Sequence, residues 1–251
     1  MNRSRDRGFL GGAGMIWLYL GILLLAEILV AGAYPAVGLA LHVALSMTLL
    51  AHSALGTESL GRLYAALAIA PLVRVVSLSI PAGLVDPVTQ YAVVSIPLIL
   101  ASLMAAQRLG YTWGDVGLNL RRFWLQIPVA ALGPLIGWLE RLFIQPTPLA
   151  ASLEPWPVLS LILFTGLSEE LLFRGLMQRA AIGALGPVQG IGYVALVFGV
   201  LHLGWHSLPH VLFVIAVGLV FGWIVYRTGS IVGVALAHGI ANVFLFIVLR
   251  G

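Results

Sequence analysis

The stretch Gly14–Ala33, with the sequence GMIWLYLGILLLAEILVAGA, indicates that this chain folds in a lipid bilayer. Its single charged residue is Glu27. A helix needs about 20 predominantly apolar residues to cross a bilayer, and this stretch meets that length. Because it lacks an obvious small-residue cleavage site, we expect a membrane anchor rather than a cleaved signal peptide.

The rest of the chain has the same character. Of its 251 residues, 61% are hydrophobic and only 9% are charged, whereas soluble domains carry about 25% charged residues. In lipid the backbone must satisfy its own polar groups, which leaves helices or closed barrels. The apolar runs are continuous rather than alternating, so the sequence predicts an all-α bundle of transmembrane helices in a lipid bilayer.

About nine stretches are long and apolar enough to span a bilayer. They are residues 14–33, 36–55, 63–83, 91–108, 123–144, 158–177, 188–205, 209–227 and 231–249. Pro128 and Pro134 predict a kinked or partly interfacial fifth segment, so eight spans is the alternative. The short stretch His206–Pro209 between two of the spans predicts a tight helical hairpin.

The basic residues are all arginines, and most lie in alternate loops. These are Arg3, Arg5, Arg7, Arg62, Arg108, Arg121, Arg122, Arg179 and Arg227. This pattern predicts a cytoplasmic N-terminus and, with nine spans, an external C-terminus. Because the net charge of +4 is scattered in this way, it marks topology and does not indicate nucleic-acid binding. The lack of lysine, with abundant Ala, Gly, Leu and Arg, favours a GC-rich prokaryotic source and hence a prokaryotic cell membrane. The chain has no cysteine, which excludes disulfides and thiolate chemistry.

Ionisable residues inside the spans are the main clue to function. Each costs about 2.5 to 3.5 kcal/mol at the centre of a helix, so such residues usually face the protein interior and have partners. They are Glu27, His42, Arg74, Glu169, Glu170, Arg174, His202 and His238. Most of them lie in three helices of the C-terminal half.

The charged residues of the first half have structural interpretations. Arg74 needs a partner, for which Glu27 is the candidate. His42 is expected at the interface or in a hydrogen bond between helices. Glu140 and Arg141, adjacent near the end of a span, are expected to snorkel to the membrane surface.

The first polar motif is the adjacent pair Glu169 and Glu170, followed by Arg174. Glu170 and Arg174 are four residues apart and share one helix face, so they can pair. Glu169 points to a neighbouring face, about 100° away, and is left available as a base. The alternative is a purely structural ion pair near the cytoplasmic face.

Two further motifs repeat the four-residue spacing on other spans. Phe198 and His202 share one face, and so do His238 and Asn242. Each could instead make structural hydrogen bonds between helices. If the three helices pack together, a glutamate and a histidine can activate water, while a histidine and an asparagine can stabilise an oxyanion. That set suffices for amide hydrolysis without a covalent nucleophile.

The order E-E-x-x-x-R, F-x-x-x-H and H-x-x-x-N resembles the CAAX-prenyl-protease and bacteriocin-processing (CPBP, or Abi) family of intramembrane proteases, and CAAX prenyl protease 2 within it. Here the motifs are Glu169-Glu170-x-x-x-Arg174, Phe198-x-x-x-His202 and His238-x-x-x-Asn242. The resemblance covers roughly residues 158–249.

The resemblance implies an endopeptidase whose substrate is a peptide or protein tail near the membrane, prenylated in some members. It implies that Glu169 and His202 activate water and that His238 and Asn242 form the oxyanion hole. Glu170 and Arg174 would orient the site. It implies a division into membrane scaffold spans with a cytoplasmic loop, residues 1–157, and a catalytic core, residues 158–251, within one integrated membrane domain.

No metal or other cofactor is expected to be obligatory. Zinc remains the alternative, because Glu169, His202 and His238 are suitable ligand types. A metal site formed by His202, His206 and His210, which are spaced four residues apart, is less favoured. Pro209 is expected to break the helix before His210, and His206 is expected in the hairpin turn.

Two other functional classes stay open. The first is a non-catalytic membrane scaffold or bacteriocin-immunity factor with the same fold, whose function would survive mutation of the motifs. The second is a proton-coupled transporter, since buried Glu and His residues also suit proton relays. A transporter is less favoured, because the sequence lacks the inverted repeats that such proteins often carry.

Overall fold

The computed structural model describes residues 14–81, 83–149 and 153–249, and this part of the chain forms nine helices and no strand. They are α1 (Gly14–Ala31), α2 (Pro35–Leu55), α3 (Glu58–Ser79), α4 (Pro87–Arg108), α5 (Phe123–Glu140), α6 (Pro155–Leu185), α7 (Pro187–Trp205), α8 (Leu208–Thr228) and α9 (Val232–Val248). The first eight are long and apolar enough to cross a membrane, and α9 is shorter. The predicted all-α, polytopic membrane bundle is confirmed, and the protein is an integral, multi-pass membrane protein.

Several helices are interrupted where the sequence weakens the regular α-helical pattern. α5 consists of Phe123–Ala130 and Gly133–Glu140, and Pro128 and Pro134 account for the break between them, since proline removes a backbone donor and crowds the preceding turn. The span for which a kink or a partly interfacial position was predicted is thus interrupted at residues 131–132. α6 runs on to Leu185, beyond its predicted end.

The hairpin between α7 and α8 forms as predicted. His206 lies in the turn, with a φ of 53°. The helix that carries His202 ends before Pro209, as predicted, and His210 lies in the next helix, α8, which begins at Leu208. The Ser207 hydroxyl caps the helix by accepting a hydrogen bond from the backbone N–H of His210, at 3.3 Å. Pro209 lies in the first turn, where its missing N–H is no loss.

The N-terminal and C-terminal halves share one hydrophobic core. The ring of Trp17 on α1 lies edge-on to that of Tyr193 on α7, with centroids 5.6 Å apart. The Tyr193 hydroxyl donates a hydrogen bond to the carbonyl of Ile16, at 2.9 Å. The division near residue 157 stays a prediction, and the two parts pack as one body.

Loops that carry arginines contact one another at one end of the bundle. Asn119 Nδ2 donates to the carbonyl of Gly229 at 2.8 Å, and Arg122 donates to the carbonyl of Arg227 at 2.9 Å. Arg179 lies 3.2 Å from the carboxylate of Asp115, which joins the loop before α5 to α6. Segments that carry arginines thus lie close together in the structure. Arg3, Arg5 and Arg7, which also entered the topology prediction, lie outside the described residues.

The loop carboxylate in this group is held in its ionised form. The side-chain hydroxyl and the backbone N–H of Thr112 both donate to Asp115 Oδ2, at 2.6 and 3.0 Å. These hydrogen bonds, assisted by the charge of Arg179, lower the pKa of Asp115. Asp115 therefore stays available to pair with Arg179 well below neutral pH.

Membrane orientation can be tested with single cysteines, because the chain has none of its own. Leu120 and Thr147 are exposed in the loops on either side of α5. We expect a membrane-impermeant maleimide to label Thr147→Cys on intact cells, and Leu120→Cys only after lysis, as the positive-inside rule requires. The reverse pattern would contradict the predicted orientation, and labelling of both on intact cells would contradict the crossing of α5.

An ion pair between the fully buried Glu27 and the partly buried Arg74 joins the first and third helices. Arg74 donates from Nε and Nη2 to the two carboxylate oxygens of Glu27, at 3.0 and 2.7 Å, which confirms the predicted partner. His42 Nε2 lies 3.2 Å from the same carboxylate. Arg74 Nη2 also donates to the carbonyl of Leu201 at 2.9 Å, so this cluster reaches the segment that carries His202.

Loss of Arg74 should strongly destabilise the protein. Arg74→Ala would leave the fully buried carboxylate of Glu27 with His42 as its one partner among the described residues. Removing one partner of a buried pair costs about 3–5 kcal/mol. The matched control is Arg62→Ala, which removes the exposed pair of Arg62 with Glu58 and should cost about 1 kcal/mol or less. Unfolding in detergent measures both. Equal losses of stability in the two variants would contradict the larger contribution expected from the pair of Arg74 with Glu27.

Candidate active site

The predicted site residues come together in one cavity within the bundle. Its volume is about 130 Å³. Glu169, Glu170, His202, His238 and Asn242 all line it, although they come from three helices, α6, α7 and α9. Arg174 is buried and lies behind the wall, where it contacts Glu170.

The local structure of α6 is unusual at the two glutamates. The turn Ser168–Glu170 is α-helical, but the segments before and after it, Leu161–Leu167 and Leu171–Met177, are π-helical. Single π-helical turns inside α-helices are frequent at functional sites. Glu170 is fully buried, whereas the side chain of Glu169 is 34% exposed and lines the cavity.

Glu170 is the hub of the polar contacts. Its Oε1 accepts hydrogen bonds from Arg174 Nη1 and from His238 Nδ1, both at 2.9 Å. The guanidinium of Arg174 also lies over the ring of Phe198, 4.2 Å from its centroid. One carboxylate oxygen therefore links α6 to α9, and Arg174 is held by charge on one side and by an aromatic face on the other.

Glu169 is not part of that pair, as the helical spacing predicted. Its Oε2 is buried without a hydrogen-bond partner in the described residues. Nε2 of His238 lies 3.9 Å from this oxygen. A carboxylate oxygen with this freedom is suited to accept a proton from a small molecule in the cavity.

His202 is oriented by its own backbone. The regular α-helix ends at Val200, and His202 follows with φ and ψ of −94° and 3°. Its Nδ1 lies 2.8 Å from the carbonyl of Phe198, to which it must donate a proton. Nε2 is then an unprotonated acceptor when the ring is neutral. The hydrogen bond from Arg74 to the carbonyl of Leu201 fixes the adjoining backbone.

Asn242 is held by a hydroxyl of α6. Its Nδ2 donates to Thr165 Oγ1 at 2.7 Å, and the Thr165 hydroxyl donates in turn to the carbonyl of Leu161. An amide nitrogen carries two protons, and this contact uses one of them. The other remains available to a group bound in the cavity.

One acid–base pair of the site, Glu140 and His210, was not predicted from the sequence. Glu140, expected to snorkel, instead lines the cavity with its side chain only 14% exposed. Its Oε1 lies 2.8 Å from Nε2 of the fully buried His210. The expectation is wrong because the break in α5 and the start of α8 at Leu208 bring the two residues together. Their separation of 70 residues leaves no local signal in the sequence.

A second, larger cavity adjoins the first. Its volume is about 510 Å³, and Tyr91, Glu169, His202 and Trp205 line both cavities. The rest of its wall is mostly apolar and comes from α3, α4, α6 and α7. Arg74 also lines it. The candidate site thus has room on one side for a chain longer than the small cavity could hold.

That no metal is obligatory stays a prediction. No three His, Asp or Glu side chains within the described ranges are arranged to hold a metal ion. His238 Nδ1 is engaged by Glu170, and His238 Nε2 is 3.9 Å from Glu169, well beyond the separations of about 3 Å between two ligands of one zinc ion at bonds of about 2 Å. His206 is exposed in the hairpin turn. No step of the chemistry below is therefore assigned to a metal.

The fold and the site define a helical membrane protein with a polar, acid–base cavity inside the bundle. Residues 151–244 match the family described as type II CAAX prenyl endopeptidase, Rce1-like. This range contains all the predicted site residues and confirms the resemblance to the CPBP family. It does not include Arg74 or Glu140. Comparison with curated proteins and with solved structures finds no match.

The close contact of α6 with α9 sets the distance between Glu170 and His238. A Cβ on Gly239 would lie 2.6 Å from the Cα of Ile162, and a Cβ on Gly166 would meet the carbonyl of Ala235. Contacts this short require the backbones to separate, as in other small-residue helix interfaces.

Gly239→Ala should therefore lower the melting temperature in detergent and lengthen the contact of His238 with Glu170. Gly192→Ala on α7 is the matched control, since a Cβ there would meet nothing within 4 Å. It should be neutral or slightly stabilising, because alanine favours a helix over glycine by about 1 kcal/mol. A Gly239→Ala protein as stable as Gly192→Ala would contradict the close packing.

Proposed function

We propose that this protein is an intramembrane endopeptidase, similar to the CAAX prenyl endopeptidases, that hydrolyses peptide bonds near the membrane with an activated water molecule. The observation that carries the proposal is the convergence of Glu169, His202, His238 and Asn242 on one cavity inside the bundle. The family match over residues 151–244 supports the reaction class.

Glu169 and His202 activate the water. His202 uses Nδ1 to bond the carbonyl of Phe198, so Nε2 can accept a hydrogen bond from water and hold it in place. Glu169 lines the same cavity with an unpaired carboxylate oxygen. As the water oxygen attacks the peptide carbonyl carbon, Glu169 takes one of its protons and acts as the general base.

His238 and Asn242 stabilise the oxyanion that this attack creates. His238 donates from Nδ1 to Glu170, so it offers a second proton on Nε2 only as an imidazolium. The two neighbouring carboxylates, Glu169 and Glu170, favour that cation. Asn242 contributes its remaining amide proton. Preorganised donors in a water-poor cavity are worth far more than the same donors in bulk water.

Glu170 and Arg174 orient the site rather than react. Arg174 neutralises Glu170 at 2.9 Å, and Glu170 fixes the ring of His238 through Nδ1. Removal of Arg174 would leave a buried carboxylate that competes for the proton of His238. Neither group needs to touch the substrate for this role.

The larger cavity holds the substrate, a peptide or protein tail at the membrane. It meets the small cavity at Glu169 and His202, so a chain lying in it would pass the water-activating pair. Its largely apolar wall suits hydrophobic side chains or a prenyl group on the substrate. We place this activity in a prokaryotic cell membrane, with the N-terminus in the cytoplasm.

The test is cleavage of a fluorogenic, farnesylated peptide ending in Cys-aliphatic-aliphatic-X by the purified protein in liposomes, compared with the unmodified peptide. Glu169→Gln should lower kcat by about 100-fold or more, the usual contribution of a general base. Its melting temperature should stay close to that of wild type, since Glu169 Oε2 makes no hydrogen bond to the residues that the structure describes.

Glu58→Gln is the matched control. Glu58 is exposed and, within the described part of the chain, pairs with Arg62 alone, so its substitution should leave cleavage unchanged. A fully active Glu169→Gln protein would refute the assigned base. A folded wild-type protein that cleaves neither peptide would contradict the proposed activity, and cleavage of the unmodified peptide alone would contradict the prenyl preference.

A further inference from the structure

The proposed hydrolysis requires a proton that its four residues do not obviously supply. When the C–N bond of the tetrahedral intermediate breaks, the electron pair goes to nitrogen. An amine leaves readily only if that nitrogen receives a proton at the same time. Glu169 holds the proton taken from water, but its carboxylate faces His238 at 3.9 Å. His238 and Asn242 donate their hydrogen bonds to the oxyanion.

A second acid–base pair lies on the wall of the same cavity. Glu140, near the end of α5, lines the cavity with Glu169 and His202. Its Oε1 lies 2.8 Å from Nε2 of His210, a separation at which the two groups share a proton. This pair belongs to none of the three sequence motifs.

Burial makes this pair unlike a surface ion pair. The side chain of His210 has no exposed area, and its Nδ1 has no hydrogen-bond partner among the described residues. An unsatisfied polar atom at such depth is costly to the fold. The ring of His210 lies 5.9 Å from that of His202, centroid to centroid, so the pair is next to the water-activating residues.

The packing of α5 against α9 brings Glu140 to this wall. Gly133 and Gly137 lie about two turns and one turn before it, respectively, and a Cβ on Gly133 would be 2.7 Å from the carbonyl of Ala237. A Cβ on Gly137 would meet the carbonyl of Ala241. These residues of α9 flank His238, so glycine on α5 allows the close approach that places Glu140 beside the reacting groups.

We propose that Glu140 is the general acid of the site, which protonates the leaving nitrogen, and that His210 is the positioning residue that holds its proton. Water adds its oxygen to the carbonyl carbon, and one water proton goes to Glu169. The C–N bond then breaks, and the proton of the Glu140–His210 pair forms the new N–H bond. The proton on Glu169 returns to the pair through water before the next turnover, so the cycle balances. This role rests on the proposed peptidase function.

Two substrates of identical sequence separate this role from a structural one. One carries an amide at the scissile bond, and the other a thioester, whose thiolate leaves without protonation. Glu140→Gln should lower kcat for the amide by about 100-fold or more and leave the rate for the thioester close to wild type. His210→Gln should shift the ratio in the same direction. Glu169→Gln should slow both substrates, because each needs the activated water.

Arg141→Gln is the matched control, since this neighbouring residue lines neither cavity. Equal losses of Glu140→Gln on both substrates, or no loss on either, would overturn the proposal. In wild-type protein, hydrolysis of a series of anilides should depend weakly on the basicity of the leaving amine. A strong dependence would overturn it even if neither variant folds. Failure of wild type to cleave either substrate would count against the peptidase function itself.

Discussion

A single carboxylate oxygen, Oε1 of Glu170, organises the polar interior of this bundle. It accepts hydrogen bonds from Arg174 and His238, both at 2.9 Å, and it has no exposed surface. In an apolar bundle an unpaired charge of this kind would be very costly, so the three groups must stay together. Because His238 lies on α9 and the other two on α6, this constraint fixes how the two helices meet. The position of Glu169, one residue earlier, follows from it.

Small residues make that meeting possible. Gly166 and Gly239 let α6 and α9 touch through their backbones, and Gly133 and Gly137 let α5 approach α9 from another side. In lipid such contacts replace the hydrophobic effect as the source of helix association. The result is a site enclosed by α5, α6 and α9 through these two close contacts, with α7 and α8 completing it. On the remaining side the buried cluster of Glu27 and Arg74 ties the first half of the chain to the backbone beside His202.

Much of this could be predicted from the sequence, because membranes impose simple rules. Length and hydropathy locate the spans, and the four-residue spacing of Glu170 with Arg174 places them on one face of a helix. The pairing of Glu27 with Arg74 followed from the need of an intramembrane arginine for a counter-charge. Glu140 and His210 could not be paired in this way. Glu140 lies at a span end where snorkelling is the usual behaviour, and its partner is 70 residues away behind a proline. Only the break in α5 and the start of α8 at Leu208 bring them together.

In the proposed mechanism the carboxylate of Glu169 activates water and does not itself attack the substrate. A single turnover in water enriched in oxygen-18, with enzyme in excess over peptide, tests it directly by mass spectrometry. If Glu169 activates water, one oxygen-18 atom enters the new carboxyl group of the product and none enters the enzyme peptide that contains Glu169. Oxygen-18 in the carboxylate of Glu169, with unlabelled product, would reveal a covalent acyl-enzyme and contradict the account.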